Sequence, residues 1–202
     1  MLNIIFPRFC TSCQNTLLAE EDLFCGFCIS ELPFTRFHYT EDESVLNKFY
    51  GLLKVEQATS FLYFEKMGIT QKILHQLKYK GRQEIGRYFG EWFGRELSEI
   101  ESYQDIDYIV PVPLHKTRLR QRGYNQVALF AIALAEQLNT TYDESALIKV
   151  SGAKSQVGLG RRGRMSRTEV FKLAEAPHLK DKHILLVDDL ITTGGTLQEC
   201  GN

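Results

Sequence analysis

The stretch His183-Ile-Leu-Leu-Val-Asp-Asp-Leu-Ile-Thr-Thr-Gly-Gly-Thr196 decides the reading of this 202-residue chain. Four apolar residues follow His183 without polar alternation, the pattern of a strand buried on both faces of a parallel sheet. Such a strand delivers Asp188 and Asp189 to its C-terminal end, the edge at which open α/β sheets bind ligands. Beyond Leu190 and Ile191 come Thr192, Thr193, Gly194, Gly195 and Thr196, with a helix expected to begin near Thr196. Glycines let backbone N–H groups approach a phosphate, threonine hydroxyls add donors, and a helix N-terminus adds positive partial charge. Two carboxylates do not bind phosphate. They accept hydrogen bonds from vicinal ribose hydroxyls, directly or through hydrated Mg²⁺. The combination reads as a sugar-phosphate cradle with diol recognition beside it. An ordinary capped turn also uses Asp and Gly. That reading would leave two carboxylates near apolar surroundings without partners, which is costly.

Outward from this stretch, strands alternate with helices. Ala58–Glu65, rich in β-branched and aromatic residues, reads as a strand. Gln71–Lys78 sets Ile73, Leu74 and Leu77 on one helical face, and Ile85–Leu97 continues the helical period. Tyr108–Val112 reads as a buried strand closed by Pro111 and Pro113. Gln126–Leu138 is a helix apolar on nearly all sides, started near Asn125, and Leu147–Val150 is a short strand. The pattern predicts an α/β fold, an open and mainly parallel sheet flanked by helices, over residues 46–202. The longest apolar run, Val127–Ala135, is far short of the ~20 residues that span a bilayer. The first residues, Met1 to Arg8, lack the charged start and long apolar stretch of a signal peptide. A cytoplasmic chain without membrane insertion is expected.

Residues 1–45 read as a separate module and linker, ending in Pro33 and the acidic run Glu41-Asp42-Glu43. Four of the five cysteines fall into two pairs, Cys10 with Cys13 and Cys25 with Cys28, each pair separated by two residues. That spacing lets two thiolates of one tight turn reach the same ion, and two such knuckles complete a tetrahedral zinc site. Two disulfides are the alternative, suited to a secreted chain. Four thiolates leave no open coordination position, so the zinc would be structural. Cys200 reads as a small core residue.

The formal net charge of −1 hides an asymmetry. Nine bases lie in two acid-free stretches: Lys116, Arg118, Arg120 and Arg122, then Lys154, Arg161, Arg162, Arg164 and Arg167. The first follows a strand at the same sheet edge as Asp188. Its alternate spacing puts several bases on one side if extended, or around a turn if helical. Single-stranded nucleic acid is one target, with Tyr124 as a stacking face. The second, with Gln156 among its bases, reads as a mobile loop able to close over a ligand. For both, a solvated surface is the plain alternative. Lys78, Lys80 and Arg82 read equally as a solvated helix end or a phosphate contact. His115 reads as a polar surface group.

The Asp-Asp-Leu-Ile-Thr-Thr-Gly-Gly-Thr segment closely resembles the phosphoribosyl pyrophosphate (PRPP) motif of type I phosphoribosyltransferases. By that resemblance Asp188 and Asp189 face the ribose hydroxyls, with Mg²⁺, and Thr192, Thr193, Gly194, Gly195 and Thr196 hold the 5′-phosphate. Lys116, Arg118, Arg120 and Arg122 would contact the pyrophosphate or DNA, and Lys154, Gln156, Arg161 and Arg164 would form the mobile loop.

The remaining motifs narrow the resemblance. They are the cysteine knuckles, Leu77-Lys-Tyr-Lys-Gly-Arg82, Val110-Pro-Val-Pro-Leu114, Arg122-Gly-Tyr-Asn-Gln126 and the Lys154–Phe171 stretch. Together they look like the ComF family of competence-associated proteins over essentially the whole chain. The resemblance implies a PRPP-binding protein with a zinc ribbon, handling incoming single-stranded DNA during natural transformation. A competence helicase or other DNA-uptake proteins would be its partners. A phosphoribosyltransferase with an unknown acceptor, a PRPP sensor without turnover and a purine or pyrimidine salvage enzyme all stay open. Two departures stand out. Arg167 lies where the family commonly has Asn, and this sequence stops at Asn202 whereas family members continue to a further strand.

Overall fold

The computed structural model describes residues 7–40, 42–150 and 170–201. Its centre is a parallel three-stranded sheet of β1 (Tyr108–Pro111), β2 (Thr141–Tyr142) and β5 (Ile184–Val187), in the order β2-β1-β5. β1 pairs with β5 along its whole length, from Tyr108 opposite Ile184 to Pro111 opposite Val187. The Val112 N–H then donates to the Val187 carbonyl, so both strands end together. The chain leaves β1, returns through a helix to β2 on one side, and later places β5 on the other. Loops after β1 and β5 therefore diverge at a topological switch point, where open α/β sheets form a crevice.

The strand pleat divides the core. Ile109, Leu185 and Val187 face a large cluster, while Tyr108, Val110, Ile184 and Leu186 join a smaller one with Ala146, Leu147 and Cys200. The large cluster is built from α2 (Ile69–Tyr79), α3 (Glu84–Ser98) and α5 (Ala128–Leu138). The cysteine-bearing segment, with its short α1 (Gly26–Ser30), packs into the same cluster. Phe24 lies 5.6 and 5.4 Å from the rings of Tyr88 and Phe89, and Phe34 lies 4.9 Å from Trp92. The buried His38 faces Glu96 at 2.8 Å, and the same carboxylate accepts from the Trp92 indole at 2.9 Å.

α5 is apolar all round because it is sandwiched between the sheet and α3, which matches the sequence reading. α3 meets it along Gly86, Gly90 and Gly94. A Cβ at position 90 would stand 2.5 Å from the Phe130 carbonyl oxygen and 2.8 Å from Ala133 Cβ. The obstructing atoms are backbone and a short side chain, so they cannot swing away. Gly90→Ala is expected to destabilise by about 1–3 kcal/mol despite alanine's higher helix propensity. Urea denaturation measures this, and a variant as stable as the parent would contradict the packing.

Two expectations need correction. Ala58–Glu65 is not a strand; Leu62 makes one isolated bridge to Phe34. Phe61 of this segment instead covers α3, stacking on Phe93 at 4.6 Å. β3 (Leu147–Lys149) lies outside the parallel sheet and pairs antiparallel with β4 (Phe171–Leu173). Of the two conformations left open for the basic run after β1, the helical one forms, as α4 (Lys116–Arg122). The last helix, α6 (Gly195–Gly201), starts as expected.

Candidate functional site

The two cysteine knuckles meet. The sulfurs of Cys10, Cys13, Cys25 and Cys28 all lie within 4.8 Å of one another, and no cysteine is in a disulfide. Sulfurs held at ~2.3 Å around a tetrahedral zinc stand ~3.8 Å apart, so the set fits that ion. The Cys25 N–H donates to Cys10 Sγ at 3.4 Å. Burial opposes ionisation of Cys10, but N–H groups of Cys13, Cys25 and Ser12 outweigh it and bring the thiol to about 7. Burial, and then the three neighbouring sulfurs, push Cys28 up to about 12. A bound cation would offset the burial and mutual repulsion of these sulfurs. Glu21, which carried no motif, holds the knuckles in register. Its carboxylate accepts from the N–H groups of Leu18 at 2.7 Å and Gly26 at 2.6 Å.

At the switch point, Asp188 and Asp189 leave the end of β5 side by side. The Asp189 N–H donates to Asp188 Oδ1 at 2.8 Å. Burial, and after it the Asp189 carboxylate, push Asp188 up to about 6. Asp189 is paired: Lys78 Nζ stands 2.7 Å from Oδ2, and Gln126 Nε2 donates to the same oxygen at 3.0 Å. Lys78 comes from the end of α2 and Gln126 from the turn before α5, so three elements converge on one carboxylate. Of the three bases left open above, Lys78 thus joins the acid pair. Arg82 instead binds Glu84 and the buried Thr11 hydroxyl, and Lys80 is exposed.

The loop beyond the acids encloses a concavity of about 40 Å³, lined by Asp188 and residues 190–197. Gly194 has φ +84°, and a Cβ there would approach the Phe49 ring at 3.1 Å, so glycine is required twice over. Thr192, Thr193 and Thr196 are exposed, and among the described residues their hydroxyls carry no hydrogen bond. A far larger cleft of about 1440 Å³ reaches the acids from Phe49, Leu53 and the sheet face of Val110 and Leu186. Its apolar walls do not suit a phosphate.

α4 begins with His115 as its cap, whose Nδ1 accepts from the Thr117 N–H at 3.2 Å, and ends at Gly123 in the left-handed region. Helical geometry divides the four bases. Lys116 and Arg120 lie one turn apart on one face, Arg118 and Arg122 on another. Arg122 hydrogen-bonds Gln126 Oε1, continuing the network from Asp189. Lys116, Arg118 and Arg120 are exposed and make no ion pair among the described residues. Asn125 is not the N-cap; its Nδ2 donates to the Val112 carbonyl at 3.0 Å, and α5 starts at Ala128. Lys154, Gln156, Arg161, Arg162, Arg164 and Arg167 lie outside the described residues.

These features define an α/β protein with an acid pair at the switch point of a parallel sheet and, packed onto its helices, four cysteines positioned to hold a metal ion. Comparison with curated proteins gives relatives named for competence and for DNA utilization. The chain is 26% identical over 211 residues to "Competence protein F" of Haemophilus influenzae, covering 98% of this chain and 84% of the relative. It is 31% identical over 148 residues to "Competence protein ComFC" of Bacillus subtilis, covering 73% and 57%. It is 30% identical over 130 residues to "DNA utilization protein YhgH" of Escherichia coli K12, covering 63% and 57%. The match thus spans little more than half the length of the DNA utilization proteins. No family model and no solved structure matches the chain. The chain is a homologue of competence protein F and of ComFC. Among the described residues no helix is long and apolar enough to cross a membrane.

Proposed function

We propose that this chain binds PRPP with Mg²⁺ at the β1–β5 junction and handles single-stranded DNA, in the cytoplasm, during DNA uptake. The observation that carries the reading is the acid pair at the switch point, with an adjoining loop of threonine hydroxyls that are unbonded among the described residues. The competence and DNA utilization names of the relatives support the DNA part. Asp188 and Asp189 would accept from the ribose 2′- and 3′-hydroxyls, and Mg²⁺ would screen the diphosphate charge. Thr192, Thr193 and Thr196 would donate to the 5′-phosphate, with Gly194 and Gly195 keeping the backbone close.

Lys78 neutralises Asp189 in the free protein and stands beside the incoming diphosphate, so it can exchange a carboxylate for a phosphate oxygen. Arg118 and Arg122 share the helix face nearest this network. If PRPP is turned over, a nucleophile displaces pyrophosphate from the anomeric carbon through an oxocarbenium-like state. The chain's part is then to hold the ribose and stabilise the leaving pyrophosphate.

Titration calorimetry with PRPP tests the site. Asp189→Ala and Thr193→Val should each lose a charge-assisted hydrogen bond, roughly tenfold or more in affinity. Unchanged affinity in both would refute it. Pyrophosphate release from PRPP, with and without single-stranded DNA, separates a transferase from a sensor.

A further inference from the structure

We propose that Tyr79, at the end of α2, is the base-stacking platform of a single-strand binding face shared with α4. This deepens the nucleic-acid part of the function above and rests on it.

The sequence points to Tyr124 as the stacking residue, and the structure disfavours that choice. Tyr124 is half-buried, and its hydroxyl donates to the Leu77 carbonyl at 2.6 Å. It acts as a strut that fastens the 123–126 turn to the end of α2. Two residues after that carbonyl stands Tyr79, 68% exposed. An exposed tyrosine ring alone is unremarkable. This one lies with the Arg122 guanidinium 5.8 Å from its centroid and the His75 ring at 5.1 Å.

The surroundings have the charge a nucleic-acid backbone requires. Lys80 is exposed beside the ring, and Arg120, Arg118 and Lys116 are exposed along α4. None of these makes an ion pair among the described residues. Aromatic rings beside unpaired cations are how sequence-tolerant single-strand sites are built, since every base offers a π-face. A duplex keeps those faces covered, so the occupant is a single strand. Arg122 also hydrogen-bonds Gln126, which donates to Asp189. A base on Tyr79 would therefore sit two side chains from the acid pair.

Fluorescence anisotropy with a labelled thymidine oligonucleotide and an abasic strand of the same length and charge tests this. Wild type should prefer the thymidine strand by roughly five- to a hundredfold, the range expected for one stacked base. Tyr79→Ala should bind both strands like the abasic one, with an unchanged salt slope, and Tyr79→Phe should keep the preference. Arg120→Ala with Arg122→Ala should instead lower the slope, near roughly −0.7 per phosphate contact. If Tyr79→Ala keeps the wild-type preference, the platform is refuted and the nucleic-acid reading stands. Equal wild-type binding of both strands also refutes it. No binding of either strand at low salt overturns the platform and the nucleic-acid reading together.

Discussion

Stripping the metal from the four-cysteine centre, or replacing Cys28 with serine, is expected to destabilise the whole chain and not only its first forty residues. Cys10, Leu17, Phe24, Cys28 and Leu32 belong to the same buried cluster as Phe61, Ile73, Ile85 and Phe89. The knuckles are also tied to the helices by polar contacts. Gln76 donates to the Thr11 carbonyl, and Arg82 reaches the Thr11 hydroxyl at 3.1 Å. Without the ion the buried sulfurs resist sharing negative charge, so the turns around them lose what holds them together. Binding a structural zinc is worth roughly 10–16 kcal/mol in isolated zinc modules, all of it folding free energy. If half the lower figure reaches the domain, the loss is about 5 kcal/mol. For a chain of this size that lowers the melting temperature by roughly 10–20 °C. Metal analysis should give one zinc per chain, and calorimetry of Cys28→Ser should show the drop in a single transition. A metal-free protein melting within two degrees of the loaded one would sink this. So would a mass two or four hydrogens light, the mark of disulfides.

What the sequence disclosed, and what it hid, divides by range. The cysteine spacing and the Ile184–Val187 strand with its two acids are local patterns, and both read correctly. The partners of Asp189 are not local: Lys78 sits on a helix far upstream, and nothing in Leu77-Lys-Tyr-Lys distinguishes it from Lys80. Gln126 stood inside a recognised motif, yet only the sheet register brings it to the acid. Without an apolar period α4 could be read as extended or as helical; its cap at His115 and stop at Gly123 were the signals that favour the helix. Ala58–Glu65 failed for the opposite reason. Its composition suits a strand, but among the described residues no strand lies alongside, and β propensity reflects packing more than backbone preference. Glycines at 86, 90 and 94 repeat every fourth residue, and that repeat foretells a helix pressed close against another.

Asp188→Asn is expected to make the protein more stable at pH 8 while weakening the proposed affinity for PRPP roughly tenfold or more. Burial and the adjacent Asp189 raise Asp188 from an ordinary 3.8 to about 6. The folded state thus holds a proton that the unfolded chain releases between about pH 4 and pH 6. Over that window the folded state binds more protons, so stability falls as pH rises and the loss is complete above about 6. A shift of this size corresponds to about 2–3 kcal/mol. Asparagine keeps the oxygen that accepts the Asp189 N–H at 2.8 Å and carries no charge to desolvate. Urea unfolding in magnesium-free buffer should show that gain at pH 8 and almost none at pH 4. Asp189→Asn should instead lower stability at pH 8, because it deprives Lys78, only 24% exposed, of the carboxylate 2.7 Å away. A gain for Asp188→Asn that is equal at both pH values, or absent at pH 8, would remove the account of its burial. With the predicted gain, loss of PRPP binding in the same variant cannot be assigned to unfolding. A carboxylate that costs stability in the free protein and is needed for the ligand is the behaviour of a binding residue. A carboxylate kept for the fold would show the reverse.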